Sequence, residues 1–171
     1  MKQKILLLFL ATASFANIDN IQSFEADFKQ NIVDDKNKVI AYYGHIKAMQ
    51  PQYALWTYKK PIEKQVYIIE NQAIIIEPEL EQVIIKKIGD NLDFFQLIKH
   101  AQKLDKERYL ANYNNTTFII KIKGNKIISI SYKDELDNKV TIDFTHQIVN
   151  KKIDKREFSP SIPDEYDVIK G

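Results

Sequence analysis

The chain contains no cysteine, which excludes a disulfide framework, a thiolate metal site, a cysteine nucleophile and a lipidated N-terminal cysteine. Long apolar runs are missing as well. The stretch from Ile5 to Ala11 falls far short of the roughly 18 to 20 residues that a spanning helix needs, and no later stretch approaches that length. There is no GxxxxGK[ST] segment to hydrolyse nucleotide and no G-x-S-x-G elbow. The three histidines, His45, His100 and His146, are scattered without an HExxH pair, so metal-ligand spacing is absent. "DELDN" at 134–138 is similar in part to a calcium loop. It lacks the glycine at the sixth position and the distal glutamate, and reads as a hairpin turn. The other acidic clusters lie in turn-rich segments where solvation or capping accounts for them. No enzyme, metal or cofactor is expected.

A basic surface is also lacking. The formal net charge is +2, but Lys2 and Lys4 sit in "MKQKILLLFLATASFA", where a charged start, a short apolar run and the small residues Ser14 and Ala16 read as a secretory signal peptide. An uncleaved N-terminal anchor is the alternative. With cleavage after Ala16, Lys plus Arg falls from 25 to 23 while Asp plus Glu stays at 23. Nucleic acid and anionic membrane call for a net basic face and are therefore disfavoured as partners. Residues 17–171 suit a single domain.

What is present is alternation. "IQSFEADFKQ" sets Phe24, Ala26 and Phe28 against Glu25, Asp27 and Lys29, the period of a strand, with room for a short helix before Ser23. The turn cluster at 34–37 joins it to a second strand, a hairpin signature. "QYALWTYKK" reads as a strand carrying Ala54, Trp56 and Tyr58 on one face and Tyr53, Leu55 and Thr57 on the other. Three short β-branched strands follow, split at 70–72 and at 77–79. "NLDFFQLIKHAQKL" places Leu92, Phe95, Ile98 and Ala101 at helical spacing, predicting a helix over 91–104. Four more antiparallel strands are expected after it, separated at Gly124-Asn125, "DELDN" and "HQIVN". Nine to eleven strands with two or three helices exceed the usual sheet, which should curl into an incomplete barrel.

Such a sheet has a wide apolar concave face, with Phe24, Phe28, Ile46, Trp56, Tyr58, Ile120, Ile130 and Phe144 as the candidates to point into it. The residues alone leave two readings open: an ordinary filled core, or an under-filled cavity that takes a ligand.

Three stretches, "IQSFEADFKQ", "GHIKAMQPQYALWTYKKP" and "FSPSIPDEYDVI", together resemble the LolA family of periplasmic outer-membrane lipoprotein carriers. The first is similar to the family's F-x-A-x-F-x-Q opening, the second to its segment around R-P-x(4)-W, and the third to its closing aromatic, proline and aspartate-valine run. The resemblance implies an unclosed antiparallel β-barrel, capped by a few α-helices, whose hydrophobic cavity holds lipoprotein acyl chains. It implies a periplasmic monomer that takes acylated lipoproteins from an inner-membrane ATP-driven releasing complex, with or without an outer-membrane receptor beyond. In that frame Phe94, Phe95 and Ile98 form a lid with Leu97. Gln50 stands where the family has a gating arginine, so closure should be weaker or arranged differently. Ala54 stands where the family often has a phenylalanine, which should widen the cavity locally. The alternative is a periplasmic lipid-sensing or protein-interaction module on the same scaffold.

Overall fold

The computed structural model describes residues 20–88, 94–113 and 115–171. The expected signal peptide, the part of the helix expected ahead of Ser23 that precedes Asn20, and the first residues of the 91–104 helix lie outside the described residues; Ile21 and Gln22 are not helical. In chain order the strands are β1 (Ser23–Val33), β2 (Val39–Met49), β3 (Tyr53–Lys60), β4 (Lys64–Ile69), β5 (Gln72–Glu77), β6 (Gln82–Lys87), β7 (Gln102–Lys103), β8 (Arg108–Tyr113), β9 (Thr116–Lys123), β10 (Lys126–Lys133), β11 (Lys139–Val149) and β12 (Asp167–Lys170). Helix α1 (Phe94–Lys99) lies between β6 and β7.

All twelve strands belong to one sheet, ordered β12-β6-β5-β4-β3-β2-β1-β11-β10-β9-β8-β7. The chain runs outward from β1 to β6, crosses at α1 to the opposite edge, and returns through β7 to β11 beside β1. Two of the turns are built alike. Asp34 Oδ1 accepts from the backbone N–H groups of Lys36 and Lys38 at 2.9 and 2.8 Å. Asp134 Oδ1 does the same for Leu136 and Asn138, at 2.9 Å each. Asn37 and Asp137 take the left-handed conformation at φ 61° and 64°, which short polar side chains tolerate. "DELDN" is thus a hairpin turn.

The sheet curls. From β4 to β9 the order passes through β3, β2, β1, β11 and β10, so in a flat sheet these strands would lie roughly 29 Å apart. Val66 and Ile68 on β4 nevertheless share one cavity with Phe118 on β9. The inward residues of β1, β2 and β9 to β11, among them Phe24, Ala26, Phe28, Ile46, Ile120, Ile130 and Phe144, form the main core with Phe95 and Ile98. On the outer face, the segment after β11 folds back over β3 to β6. Phe158 (2 % exposed) and Ile153 pack on Tyr53, and Ile162 and Tyr166 pack beside Tyr67 and Val83. Asp154 starts a short 3-10 turn, Lys155–Phe158, by accepting from the Arg156 N–H at 2.9 Å.

Four details differ from the expectation. The described helix is six residues, Phe94–Lys99, because Gln102 and Lys103 pair with Leu110 and Tyr109 as strand β7. Strand β8 arises from "RYLANY", whose preceding charges hid its alternation. "HQIVN" is not a turn: β11 continues through it to Val149, with His146 at φ 51° opposite a register slip between Glu25 and Asp27 on β1, a β-bulge. Finally, β12 pairs with β6 in parallel, so the sheet is antiparallel except at that edge.

Candidate binding cavity

The inward face of β3 and β4 packs against the core through Ala54, Trp56, Tyr58 and Ile68 but is not wholly covered by it. Tyr58, Trp56 and Ala54 lie opposite Lys64, Val66 and Ile68, and from Ala54 through Ile68 these side chains line a cavity of about 670 Å³. That volume falls within the roughly 300 to 1,000 Å³ of ligand clefts. Phe94 and Leu97 of α1, with Ile88, complete one end. Phe118, Ile130, Tyr132 and Ile142 form the far wall, and Lys133, Asp134, Glu135 and Thr116 rim it.

Rings make up the floor between cavity and core. Phe28 meets Trp56 and Tyr58 edge-on, at centroid distances of 5.2 and 5.0 Å. Trp56 lies 6.3 Å from Phe144, and Phe94 lies 5.0 Å from Phe24. Such tilted and T-shaped pairs suit the ring quadrupole. Phe28 has room because its partner in the β1–β2 register is Gly44. A Cβ on Gly44 would collide with the Thr57 carbonyl oxygen and lie 2.6 Å from Phe28 Cζ. The glycine therefore seats the Phe28 ring and admits the close approach of the β3 backbone, the latter a common reason for glycine within a strand.

The charged groups of the lining are Lys87, Lys133, Asp134 and Glu135; beside Trp56 the polar groups are the neutral Gln30 and Tyr58. The Tyr58 hydroxyl donates to Gln30 Oε1 at 2.9 Å, and Lys64 Nζ stands over the Tyr58 ring, 4.5 Å from its centroid. Burial raises the Tyr58 phenol well above its ordinary range, with smaller contributions from Tyr132 and Tyr42. Burial raises Tyr132 also, ahead of the nearby Asp134 charge. Both phenols stay protonated at neutral pH. Among the described residues no group of three or more histidines and carboxylates could hold a metal ion.

A family model described as outer membrane lipoprotein carrier protein LolA matches residues 19–114. The chain belongs to the LolA family. An outer-membrane lipoprotein carrier protein of Campylobacter jejuni is 37% identical over 171 residues, covering 99% of this chain and 100% of the relative. One of Helicobacter pylori is 34% identical, covering 99% and 92%. A solved LolA superfamily protein from Nitrosomonas europaea aligns with a TM-score of 0.50 at 8% identity, over 84% of this chain and 94% of that one, a likeness of fold.

Set against the LolA expectations, four of the named residues line the cavity directly: Trp56, Tyr58, Ile130 and Phe94. Phe24, Phe28, Ile46, Ile120 and Phe144 sit behind it, at 0%, 3%, 0%, 0% and 5% exposure, with Phe95 and Ile98 buried in the same core. They shape the cavity wall from beneath. Gln50 lies elsewhere: its Nε2 donates to the Ile21 carbonyl at 2.8 Å, and its backbone N–H to that of Gln22 at 2.9 Å. It ties down the segment entering β1. Sequence reasoning missed Val66, Ile68, Phe118, Tyr132 and Gln30. The alternation in "KQVYII" and the register against Trp56 and Ala54 could have found the first two. Gln30 was visible only as the last letter of a motif.

Proposed function

We propose that this chain is a periplasmic chaperone that carries acylated lipoproteins from the inner to the outer membrane, holding their acyl chains in the cavity between β3, β4, α1 and β10. The observation that carries the proposal is the cavity itself: a space walled mainly by apolar and aromatic side chains, in a chain whose relatives are named as lipoprotein carriers. Burial of each CH2 is favourable by about 0.8 kcal/mol, so a long acyl chain cannot cross the aqueous periplasm free. Contacts of this kind are non-directional, so cargo can be handed on to a better apolar acceptor. Loading is driven from outside, because the chain has no nucleotide-hydrolysing motif; an inner-membrane ATP-driven releasing complex fits that need. A membrane receptor on the far side is one acceptor. The chain works without catalysis as a monomer, residues 17–171 forming the carrier after cleavage at Ala16. Trp56, Tyr58, Ile130 and Phe94 meet the acyl chains. Phe24, Phe28, Ile46, Ile120 and Phe144 support them, and α1 acts as the lid, with Gln50 fixing the neighbouring N-terminal segment.

The test is release of an acylated lipoprotein from inner-membrane vesicles given ATP. Wild-type protein should bring it into the supernatant, and Ala54→Trp, which fills the cavity from a lining position, should not, while unfolding at a similar urea concentration. Equal release by the filled variant would count against the proposal.

A further inference from the structure

Only two polar side chains are buried among the described residues, Ser23 and Gln30. Ser23 is spoken for, its hydroxyl bonding the Lys151 carbonyl. Gln30 is not. It is 9% exposed and lines the cavity beside Tyr58, and the one bond it makes among the described residues is the one its Oε1 accepts from the Tyr58 hydroxyl at 2.9 Å. The pair carries three polar hydrogens, two on the amide and one on the phenol, and uses one. Turning the amide over changes nothing in the count: Nε2 would then donate to the phenol oxygen, leaving the second amide hydrogen and the hydroxyl hydrogen. Buried donors in proteins almost always have acceptors, and two here face an apolar cavity without one.

We propose that Gln30 and Tyr58 form a neutral docking point for the ester or amide carbonyl oxygen of an acyl chain, setting how deep the chain enters. This rests on the reading of the cavity as an acyl-chain site. The location suits the role. Gln30 sits between Tyr42 and Ile142 in the sheet register, with Trp56 and Ile68 toward one end of the cavity and Ile130 and Tyr132 toward the other. A carbonyl held there has apolar wall on both sides. The charge also suits it. Neither donor is cationic, and Lys64 is engaged with the faces of Tyr58 and Tyr42. At Gln30 and Tyr58 a carboxylate or phosphate would exchange its hydration for neutral donors, an unfavourable exchange, while Lys87 and Lys133 belong to other parts of the lining; a neutral carbonyl gains partners for groups that otherwise have none. The arrangement depends on Gly44, which pairs with both Phe28 and Tyr58 and leaves room for the Phe28 ring on which Tyr58 packs edge-on.

The experiment is displacement of a fluorescent naphthylamine probe from the purified protein by three ligands: methyl decanoate, N-methyl decanamide and undecane. Gln30→Leu should weaken methyl decanoate, the amide or both by about tenfold, the worth of a neutral hydrogen bond, and leave undecane unchanged or tighter. Tyr58→Phe keeps the ring against Phe28 and should weaken the same ligands about fivefold, which guards against a Gln30 variant that folds poorly. Loss for the ester alone or the amide alone identifies which linkage is read. If both variants treat the carbonyl compounds and undecane alike, the docking point is wrong while the acyl cavity stands. If wild-type protein binds none of the three, the acyl cavity itself is wrong, and the docking point with it.

Discussion

Replacing Gly44 with alanine adds one methyl group where the sheet has no space for it. The new Cβ would lie 2.6 and 2.8 Å from Phe28 Cζ and Cε1 and against the Thr57 carbonyl oxygen, whereas ordinary contacts begin at 3.4 Å. Phe28 cannot retreat freely, since Trp56 and Tyr58 close on it at 5.2 and 5.0 Å. The Thr57 carbonyl belongs to the backbone of β3, so β2 and β3 must also part locally. Overpacking of this kind costs about 1 to 3 kcal/mol. The reduced freedom of the unfolded chain returns about 0.4 to 1 kcal/mol. Because backbone and a wedged ring are both involved, we expect the upper part of the range, a net loss of about 2 kcal/mol. For a chain of this length that lowers the melting temperature by roughly 4 to 8 °C. Urea unfolding followed by Trp56 fluorescence reads the change at the affected ring. In a Phe28→Ala background the same substitution should cost less, because one of the two collisions has gone. A Gly44→Ala variant as stable as wild type would refute the claim that Gly44 seats Phe28.

Acid should weaken the fold through the outer face of β1. His45 Nδ1 lies 2.8 Å from Asp27 Oδ1, and His146 Nδ1 lies 3.0 Å from Asp27 Oδ2. The His45 hydrogen bond foremost holds the Asp27 carboxyl below its ordinary value. For Glu25 burial acts to raise the carboxyl, and hydrogen bonds from Lys151 and His45 outweigh it. Groups with depressed folded values stabilise above the unfolded values, 3.8 and 4.5, and lose that contribution as pH falls through the folded ones. The urea midpoint of wild type should fall more steeply below about pH 4.5 than that of Asp27→Asn, with the difference at neutral pH no more than about 1 kcal/mol given the exposure of these groups. Parallel curves would contradict this. Gln50→Ala removes the donor to the Ile21 carbonyl and should cost about 1 kcal/mol, with faster hydrogen exchange confined to the residues entering β1. Unchanged exchange there would show that Gln50 fixes nothing.

Much of the fold was legible because local chemistry repeats it. The Asp34 and Asp134 turns carry their own hydrogen-bond acceptors, and the faces of β3 follow from strict alternation around Trp56. The helix was read too long because the 91–104 periodicity runs on past Lys99, where two residues pair with β8 instead. The bulge at His146 looked like a turn because both use a left-handed residue. The site was legible only in part. Trp56 and Phe28 were both visible as inward aromatics, yet one lines the cavity and the other lies beneath it. That distinction depends on how tightly the sheet curls, which no single strand encodes. The role of Gln30 depends on Tyr58 reaching it from β3, across the strand between them. The closing motif carries the family resemblance but not its place in the fold: Phe158 packs on Tyr53, and Ile162 and Tyr166 beside Tyr67 and Val83.

Native mass spectrometry of the protein taken from periplasm, with a co-expressed acylated lipoprotein, tests the central claim most directly. The account predicts a one-to-one complex with the lipoprotein that is lost when the lipoprotein's acylation site is removed and when Ala54→Trp fills the cavity. A well-folded wild-type protein that never retains acylated lipoprotein or lipid, or one that retains the unacylated form equally, would contradict it.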